Sequence, residues 1–273
     1  MLVVGLAMSA YAQSHANQLS GWVVAWLGPP MGAMEETHAS HQDTSAFDHS
    51  RWDVLLKAHV DAQGWVDYQG FAQDREALDA YLAALGQADF ESLGRDEKLA
   101  LLLNAYNAFT VALILDHDAH GKLKSIKDIA SSQRWDAKRW LLAGKTVSLN
   151  ELEHQWVRNH FKEPRIHWAL VCAAYSCPPL LNTAYTGKQL DQQLAQQETR
   201  VLGGDRWLRH DPQGNILHLT ALLQWYGSDF KAATGQSVVD YVAARVPAIK
   251  GKPQPKVEWI HYEWKLNSQA NRP

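Results

Sequence analysis

The sequence predicts an α+β fold, a mostly helical single domain with a small sheet. Apolar residues recur at helical spacing in several segments, and short runs near the middle and the end of the chain alternate or stay apolar as strands do. Of the 273 residues, 46% are hydrophobic and only 20% are charged. A chain of this composition can bury a large core and needs no crosslinks to fold.

The N-terminus resembles an export signal. Residues 2–9 are apolar, and Ala10-Tyr11-Ala12 fits the small-x-small cleavage pattern. We therefore predict a signal peptide at 1–12. A basic n-region is missing, so either the start is misassigned or truncated, or the apolar start is not a signal. The protein is expected to be periplasmic or secreted. The apolar stretch is shorter than the roughly 20 residues of a spanning helix, so no transmembrane helix is expected.

The next stretch is polar and rich in turn-forming residues. Residues 28–48 contain many Gly, Pro, Ser, Thr, Glu and His residues, a composition typical of disordered segments. We predict a mobile linker at 13–49, a folded domain at 50–267 and a short tail at 268–273.

Three helices are predicted in the first part of the domain. The apolar patterns run from Trp52 to Val60, from Leu78 to Leu85 and from Asp96 to Asp116. The third is apolar on both faces, so it should be buried nearly all round. Within it, Asn104 and Asn107 form a polar pair. Buried amides need partners, so these asparagines either brace a loop or orient a reactive group.

A capping box marks the next helix. Ser148-Leu149-Asn150-Glu151 has the Ser-x-x-Glu form, and the helix must end before Pro164. This helix carries Glu153 and His154. Adjacent helical residues differ by about 100° around the axis, so the two side chains cannot both point at one atom. If one serves a site, the other fixes the helix or a surrounding group.

Of the only two cysteines, Cys172 lies in a predicted strand and Cys177 in the turn that follows it. The apolar run 165–174 is too short for a good helix and is interpreted as a strand, and Ser176-Cys177-Pro178-Pro179 then forms a turn. Strand alternation places Cys172 and His167 on opposite faces. His167 therefore reaches Cys172 only through a bulge, whereas His154 can meet Cys172 if its helix packs across that face.

The C-terminal part combines helices with two strand signals. An exposed amphipathic helix is predicted after Gly187, a hairpin turn at 211–215, and helical patterns at 222–226 and 238–242. Alternation over 256–267 predicts a closing strand. Within it, His261 is either an acid-base partner or an exposed edge residue.

Several motifs together resemble the family called domain of unknown function 547. They are Asn104-Ala-Tyr-Asn-Ala108, Leu149-x-x-Leu-Glu-His154, Arg165-Ile-His-x-Ala-Leu-Val-Cys172, Ser176-Cys177-Pro178, Trp225-Tyr226 with Asp229-Phe230, and Tyr262-Glu263-Trp264-x-Leu266-Asn267. The resemblance covers roughly residues 50 to 267 and implies no settled reaction. Many bacterial members look exported, and the family usually has aspartate where Glu263 stands. Some plant relatives keep a cysteine at position 172 but have serine at 177, which implies that Cys172 is the residue of shared function.

Three functions remain open. The first is a cysteine-dependent hydrolase or acyl transferase, with Cys172 as nucleophile, His154 as general base, and Glu153, Asn104 or Asn107 as orienting groups. The second is a non-catalytic periplasmic binding or scaffold module with a structural Cys172–Cys177 disulfide. The third is a zinc site built from Cys172, Cys177 and one or two histidines. Secondary candidates for site residues are Cys177, His167, Ser176, His261 and Glu263.

The expected partner is a small molecule or a peptide. A net charge of -3 and a pI near 6.5 provide no basic surface for nucleic acid, so nucleic-acid binding is not expected. Outside the zinc alternative, no metal and no cofactor are expected.

Overall fold

The computed structural model describes residues 34–40, 45–118, 121–251 and 253–272. The predicted signal peptide at 1–12 lies outside these residues, as does much of the predicted linker. The described parts of that linker pack against the domain, because Met34 is 5% exposed and Glu36 forms an ion pair with Arg95.

The described residues form nine α-helices and two small sheets, which confirms the mostly helical α+β prediction. The helices are α1 Ser50–His59, α2 Tyr68–Gln73, α3 Arg75–Gly86, α4 Arg95–His117, α5 Leu149–Glu151, α6 Leu190–Leu202, α7 Ala221–Trp225, α8 Gly227–Thr234 and α9 Val238–Arg245. The strands are β1 Trp140–Leu142, β2 Lys145–Val147, β3 Leu208–Asp211, β4 Ile216–Thr220 and β5 Lys256–Ile260. Short 3₁₀ helices occupy Ile126–Asp128, Ser131–Gln133, Pro164–Trp168, Gly187–Gln189 and Gln269–Asn271.

Helix α4 is the core of the molecule. Every residue from Lys98 to Ile114 is buried, as its apolar faces predict. Asp96 and Glu97 lie in the first turn, where the helix dipole favours negative charge. Among the described helices, α4 alone is long and apolar enough to cross a membrane, but 89% of its apolar window is buried inside the protein. This burial is what a core helix requires.

A tight hairpin closes one side of the core. Strands β1 and β2 pair antiparallel, and their turn places Ala143 and Gly144 at φ 47° and 73°. Two amides of this turn extend the end of α3, because Ala143 N–H donates to Leu85 O and Gly144 N–H to Gly86 O. The sequence patterns did not predict this hairpin.

The second sheet has the order β3-β4-β5. Strands β3 and β4 form an antiparallel hairpin whose turn lies at the predicted position 211–215. Strand β5 pairs parallel to β4, and helices α7, α8 and α9 form the crossover that a parallel pair requires. The predicted closing strand is shorter than expected, since β5 ends at Ile260.

The predicted strand at 165–174 is wrong. Its first half is the 3₁₀ helix Pro164–Trp168, whose start is capped by Glu163 accepting from Arg165 N–H. The amide of Val171 donates to a side chain, Asn107, instead of a neighbouring strand. Ala174 alone keeps a strand-like contact, an isolated bridge to Leu266. The cysteines therefore lie on an irregular segment, and strand parity does not govern their directions.

Candidate functional site

The two cysteines close a small loop. Ala173 has φ 62°, a left-handed conformation that is uncommon for a residue with a side chain. It turns the chain back on itself, so that Cys177 N–H donates to Ala174 O at 3.0 Å and Cys172 N–H points at Cys177 Sγ at 3.1 Å. The amides of Cys172 and Ala174 both act on the Cys177 sulfur, and backbone N–H groups directed at one atom favour negative charge there.

The sulfurs and one tyrosine hydroxyl are in mutual contact. Cys172 Sγ lies 2.7 Å from Cys177 Sγ, and Tyr262 Oη lies 3.3 Å from the first and 3.1 Å from the second. Both cysteines are free thiols in the structure. Cys172 is partly exposed, whereas Cys177 is 2% exposed. Cys172 is therefore the more accessible residue of the pair.

Opposite pKa shifts distinguish the two thiols. The hydrogen bond to Cys177 and then burial raise the pKa of Cys172. Burial also acts to raise the pKa of Cys177, but hydrogen bonds from Cys172, from Tyr262 and from the amides of Ala174 and Cys172 outweigh it and lower that pKa. Burial raises the pKa of Tyr262, so its hydroxyl stays protonated and can donate. The pair thus holds a negative charge best at Cys177.

The segment after β5 holds the cysteine loop in place. Tyr175 N–H donates to Lys265 O, and Asn267 N–H donates to Ala173 O. Ser176 makes two contacts with Glu263, its N–H donating to Glu263 O and its Oγ accepting from Glu263 N–H at 2.8 Å. Ser176 is thus a backbone clamp, while the Glu263 carboxylate lies outside, 3.4 Å from Lys265 Nζ.

Both asparagines of α4 brace neighbouring backbone. Asn107 Nδ2 donates to Ala169 O and its Oδ1 accepts from Val171 N–H, both at 3.0 Å. Asn104 makes the same pair of contacts with Tyr185, at 2.8 and 3.0 Å. Asn107 therefore fixes the residues that lead directly into Cys172, and Asn104 fixes a loop elsewhere.

Partly exposed aromatic rings surround the tyrosine. Tyr262 packs against Trp225 and Trp264, with ring centroids 4.8 and 4.7 Å apart, and Trp135 packs against Trp264 at 5.7 Å. Lys127 Nζ lies 4.0 Å from the centroid of Trp264. The surface beside the sulfurs is therefore both aromatic and cationic.

Glu153 and His154 belong to a second cluster, on a π-helical turn at Leu152–Val157 that continues α5. Single π-turns in helices are frequent at functional sites. The buried Glu153 carboxylate accepts from Tyr226 Oη at 2.6 Å and lies 3.9 Å from His154 Nδ1. Burial acts to raise the pKa of Glu153, but His154 and the Tyr226 hydrogen bond outweigh it and lower that pKa. The carboxylate is therefore ionised at neutral pH.

A buried ion pair supports this second cluster. Asp229 is 0% exposed and binds Arg158 through both oxygens at 2.7 and 2.8 Å. It also lies 2.8 Å from His167 Nε2, and the His167 ring stacks on Tyr226 at 3.8 Å. Burial acts to raise the pKa of Asp229, but His167 and Arg158 lower it to about 2. The Nε2 atom of His167 is therefore already paired with the Asp229 carboxylate.

The predicted site residues fall into separate groups. Cys172, Cys177 and Ser176 share the loop, whereas Glu153, His154 and His167 share the second cluster. In the described part of the chain, the hydrogen bonds of Cys172 Sγ go to Cys177 and Tyr262, and His154 Nδ1 contacts Arg158 at 3.1 Å. His261 is exposed.

Tyr106 lies near both groups. Burial raises its pKa, and the charges of Glu153 and Cys172 act in the same direction. Both clusters thus act electrostatically on one tyrosine of α4, although their hydrogen bonds are separate.

The sequence patterns missed Tyr262, Tyr226 and Asp229 as site residues. All three stand in motifs that were recognised, Trp225-Tyr226 with Asp229-Phe230 and Tyr262-Glu263-Trp264. Those motifs were the available signal. Their partners are 62 to 90 residues away in the chain, so spacing alone did not reveal the contacts.

The described residues contain no group of three or more His, Cys, Asp or Glu side chains arranged to hold a metal ion. The zinc alternative therefore gains no support from them.

One comparison with known proteins gives a match. Residues 90–202 match the model of a family described as "Protein of unknown function, DUF547". The matched range contains both cysteines, both asparagines of α4 and the Glu153-His154 pair. No curated protein and no solved structure matches the chain.

Proposed function

We propose that this chain, which belongs over residues 90–202 to the DUF547 family, is a thiol–disulfide exchange protein. Its reactive pair is Cys172 and Cys177. The contact of both sulfurs with each other and with Tyr262 Oη carries this proposal. Two thiols in contact, one of them favoured as a thiolate, are what reversible disulfide formation requires.

The different exposure of the two sulfurs assigns their roles. An external thiol or disulfide can approach Cys172, which is partly exposed, but not Cys177, which is buried. The groups around Cys177 stabilise its thiolate, and a stabilised thiolate leaves faster in exchange. Cys172 is therefore the sulfur that exchanges with substrate, and Cys177 is the internal leaving group.

The oxidised protein reacts in two steps. A substrate thiolate attacks Cys172 Sγ, the Cys172–Cys177 bond breaks, and its electron pair stays on Cys177 as a thiolate that accepts from Tyr262. A second substrate thiolate then attacks the substrate sulfur of the mixed disulfide, and Cys172 leaves and takes a proton. Two substrate thiols become one disulfide, and the protein gains the two electrons. The reverse sequence reduces a substrate disulfide.

Trapping of the mixed disulfide tests the proposal. In Cys177→Ser, the Cys172 thiolate can attack hydroxyethyl disulfide, the oxidised form of mercaptoethanol, and release one mercaptoethanol, but no internal thiol can resolve the product. The mixed disulfide at Cys172 should therefore accumulate and be visible by mass spectrometry. Cys172→Ser should trap little, because its remaining thiol is buried.

The folded wild-type protein should also exchange reversibly with a thiol–disulfide buffer, with a single midpoint. Equal trapping in both variants would contradict the assigned roles. A Cys172–Cys177 disulfide that the buffer reduces only on unfolding would instead favour the structural-disulfide module, which the short sulfur contact also favours.

A hydrolase or acyl transferase with Cys172 as nucleophile is a second candidate. The ionised Glu153 beside His154, and Tyr106 near both clusters, favour it. In this mechanism, His154→Ala should slow alkylation of Cys172 at neutral pH by about a hundredfold. Thiol–disulfide exchange needs no such base, so the same variant should then leave the alkylation rate within about twofold of the wild type.

Export of the protein to the periplasm or medium fits either chemistry and belongs to the proposal. Signal cleavage after Ala12 is checked by N-terminal sequencing of the mature protein from expressing cells.

A further inference from the structure

Two cations at the aromatic surface, Lys127 and Arg134, form no salt bridge with the residues that the structure describes. Lys127 Nζ lies over Trp264, and the Arg134 guanidinium lies over Trp135, 5.1 Å from its centroid. Arg134 Nε is buried and has no hydrogen-bond partner among the described residues. Asp136 is the carboxylate that acts on Arg134, but it accepts from Asn150 at 2.5 Å.

The two cations also act on each other. Burial lowers the pKa of Lys127, and the positive charge of Arg134 lowers it further, while the ionisable thiol of Cys172 acts in the opposite direction. The pKa of Arg134 is likewise lowered, mainly by burial. Two neighbouring cations whose charge is not neutralised by an ion pair attract an anion from solution.

The indoles connect these cations to the sulfurs. Lys127 lies on Trp264, Trp264 packs on Tyr262 at 4.7 Å, and Tyr262 Oη contacts both sulfurs. A substrate whose sulfur bonds to Cys172 therefore lies beside the rings of Tyr262 and Trp264, and the two cations lie over indoles of the same aromatic surface. Its apolar atoms can pack on the indoles.

We propose that Lys127 and Arg134 form an anion subsite, and that the substrate is a thiol carrying a carboxylate, or the corresponding disulfide. The proposal rests on the thiol–disulfide exchange function. The carboxylate binds the two cations while the sulfur meets Cys172. Such a thiol is either a small molecule or a cysteine with an acidic neighbour in a polypeptide.

Three small thiols of similar size test this subsite. Stopped flow measures the rates at which the oxidised protein is reduced by mercaptopropionate, mercaptoethanol and cysteamine. Each rate is divided by the rate at which the same thiol reduces a small free disulfide, which corrects for differences in intrinsic reactivity. We expect the normalised rate to be highest for the anion mercaptopropionate, intermediate for neutral mercaptoethanol and lowest for the cation cysteamine. Lys127→Gln with Arg134→Gln should reduce the anion-to-neutral preference about three- to tenfold, since each partly exposed charge contributes modestly. Added salt should weaken the wild-type preference by screening.

Lys145→Gln is the matched control, because Lys145 also lies over an indole, that of Trp156 at 5.4 Å. It should keep the wild-type preference, and Lys127→Arg should keep it as well. Equal normalised rates for all three thiols, or a preference unchanged in the double variant, would overturn the subsite and leave the exchange function standing. Failure of all three thiols to react would overturn both.

The source of the carboxylate is identified with two further substrates. Glutathione represents the small molecules, and a peptide with a cysteine between two glutamates represents polypeptides. A lower rate in the double variant than in the wild type supports the subsite for either substrate. The substrate that reacts faster with the wild-type protein identifies the source of the carboxylate.

Discussion

The hydroxyl of Tyr262 contacts both sulfur atoms of the cysteine pair. It stays protonated because burial raises its pKa, and it donates toward the sulfur that is better able to lose its proton. The tyrosine hydroxyl therefore acts to lower the pKa of both thiols, while the contact between the two cysteines makes Cys177 the sulfur with the lower pKa.

Tyr262→Phe should raise the pKa of Cys177. A hydrogen bond to a charged group contributes about 1.5–3 kcal/mol, which corresponds to an increase of about one to two pH units. The measurement is the ultraviolet absorbance of the thiolate in the reduced protein as a function of pH. Tyr175→Phe is the control, since the Tyr175 ring packs on Trp65. A thiolate titration unchanged in Tyr262→Phe would show that the hydroxyl does not stabilise the charge.

His49 makes stability depend on pH. Burial lowers its pKa from 6.5 to about 4, although the charge of Asp48 partly opposes this. As pH falls below 6.5, the unfolded chain binds a proton that the folded protein does not, so stability falls until the pH nears 4. Between pH 7 and pH 5 this amounts to about 2 kcal/mol. In His49→Gln, urea unfolding should show a correspondingly smaller loss between these pH values.

His154 and His167 have lowered pKa values as well, so some loss on acidification remains in His49→Gln. The substitution His261→Gln, at an exposed position, should not change how the unfolding free energy depends on pH. Identical pH profiles for His49→Gln and the wild type would contradict the role of His49.

At the scale of elements, helix α4 braces two loops through two equivalent asparagines. Asn104 and Asn107 each hold one backbone carbonyl and one amide. Alanine at either position leaves a buried carbonyl and amide unpaired and should cost about 1–3 kcal/mol of unfolding free energy. The two variants should therefore be similarly destabilised in urea.

Only Asn107→Ala should change the reactivity of the thiols, because Asn107 fixes the backbone before Cys172 and Asn104 does not. We expect altered alkylation kinetics of Cys172 in Asn107→Ala and wild-type kinetics in Asn104→Ala. The same kinetics in both variants would mean that this brace does not position the cysteine loop.

The sequence predicted most helices because their signals are local. The capping box at Ser148 and the apolar faces of α4 act within a few turns, and both predictions are confirmed. The strand at 165–174 failed because the partner of Val171 is a side chain on α4, 64 residues earlier. Strand patterns assume that backbone pairs with backbone. Tyr262 was not identified for a similar reason, since its contacts with the cysteines span 85 and 90 residues.

At the scale of the whole molecule, one buried carboxylate ties three distant segments together. Asp229 on α8 joins Arg158, which follows the π-helical turn, to His167 in the 3₁₀ helix. Asp229→Ala leaves the Arg158 guanidinium buried without its partner and should cost about 3–5 kcal/mol in denaturant unfolding.

Asp191→Ala provides the comparison, because it removes an ion pair with Arg165 at a carboxylate that is 88% exposed. That change should cost less than about 1 kcal/mol. A loss for Asp229→Ala as small as this would show that the buried pair does not join the segments. Because the pKa of Asp229 is about 2, its contribution is present at neutral pH and is lost only as the pH falls toward that value.

The clamp between the cysteine loop and residues 262–267 also orders events during synthesis. Cys172 and Cys177 leave the ribosome well before Tyr262, and until then neither the hydroxyl nor the backbone partners at Lys265 and Asn267 exist. The nascent chain therefore carries two ordinary cysteines. The contacts that shift their pKa values form only when nearly all of the domain has been translated, so a prematurely terminated product would have the thiols without these contacts.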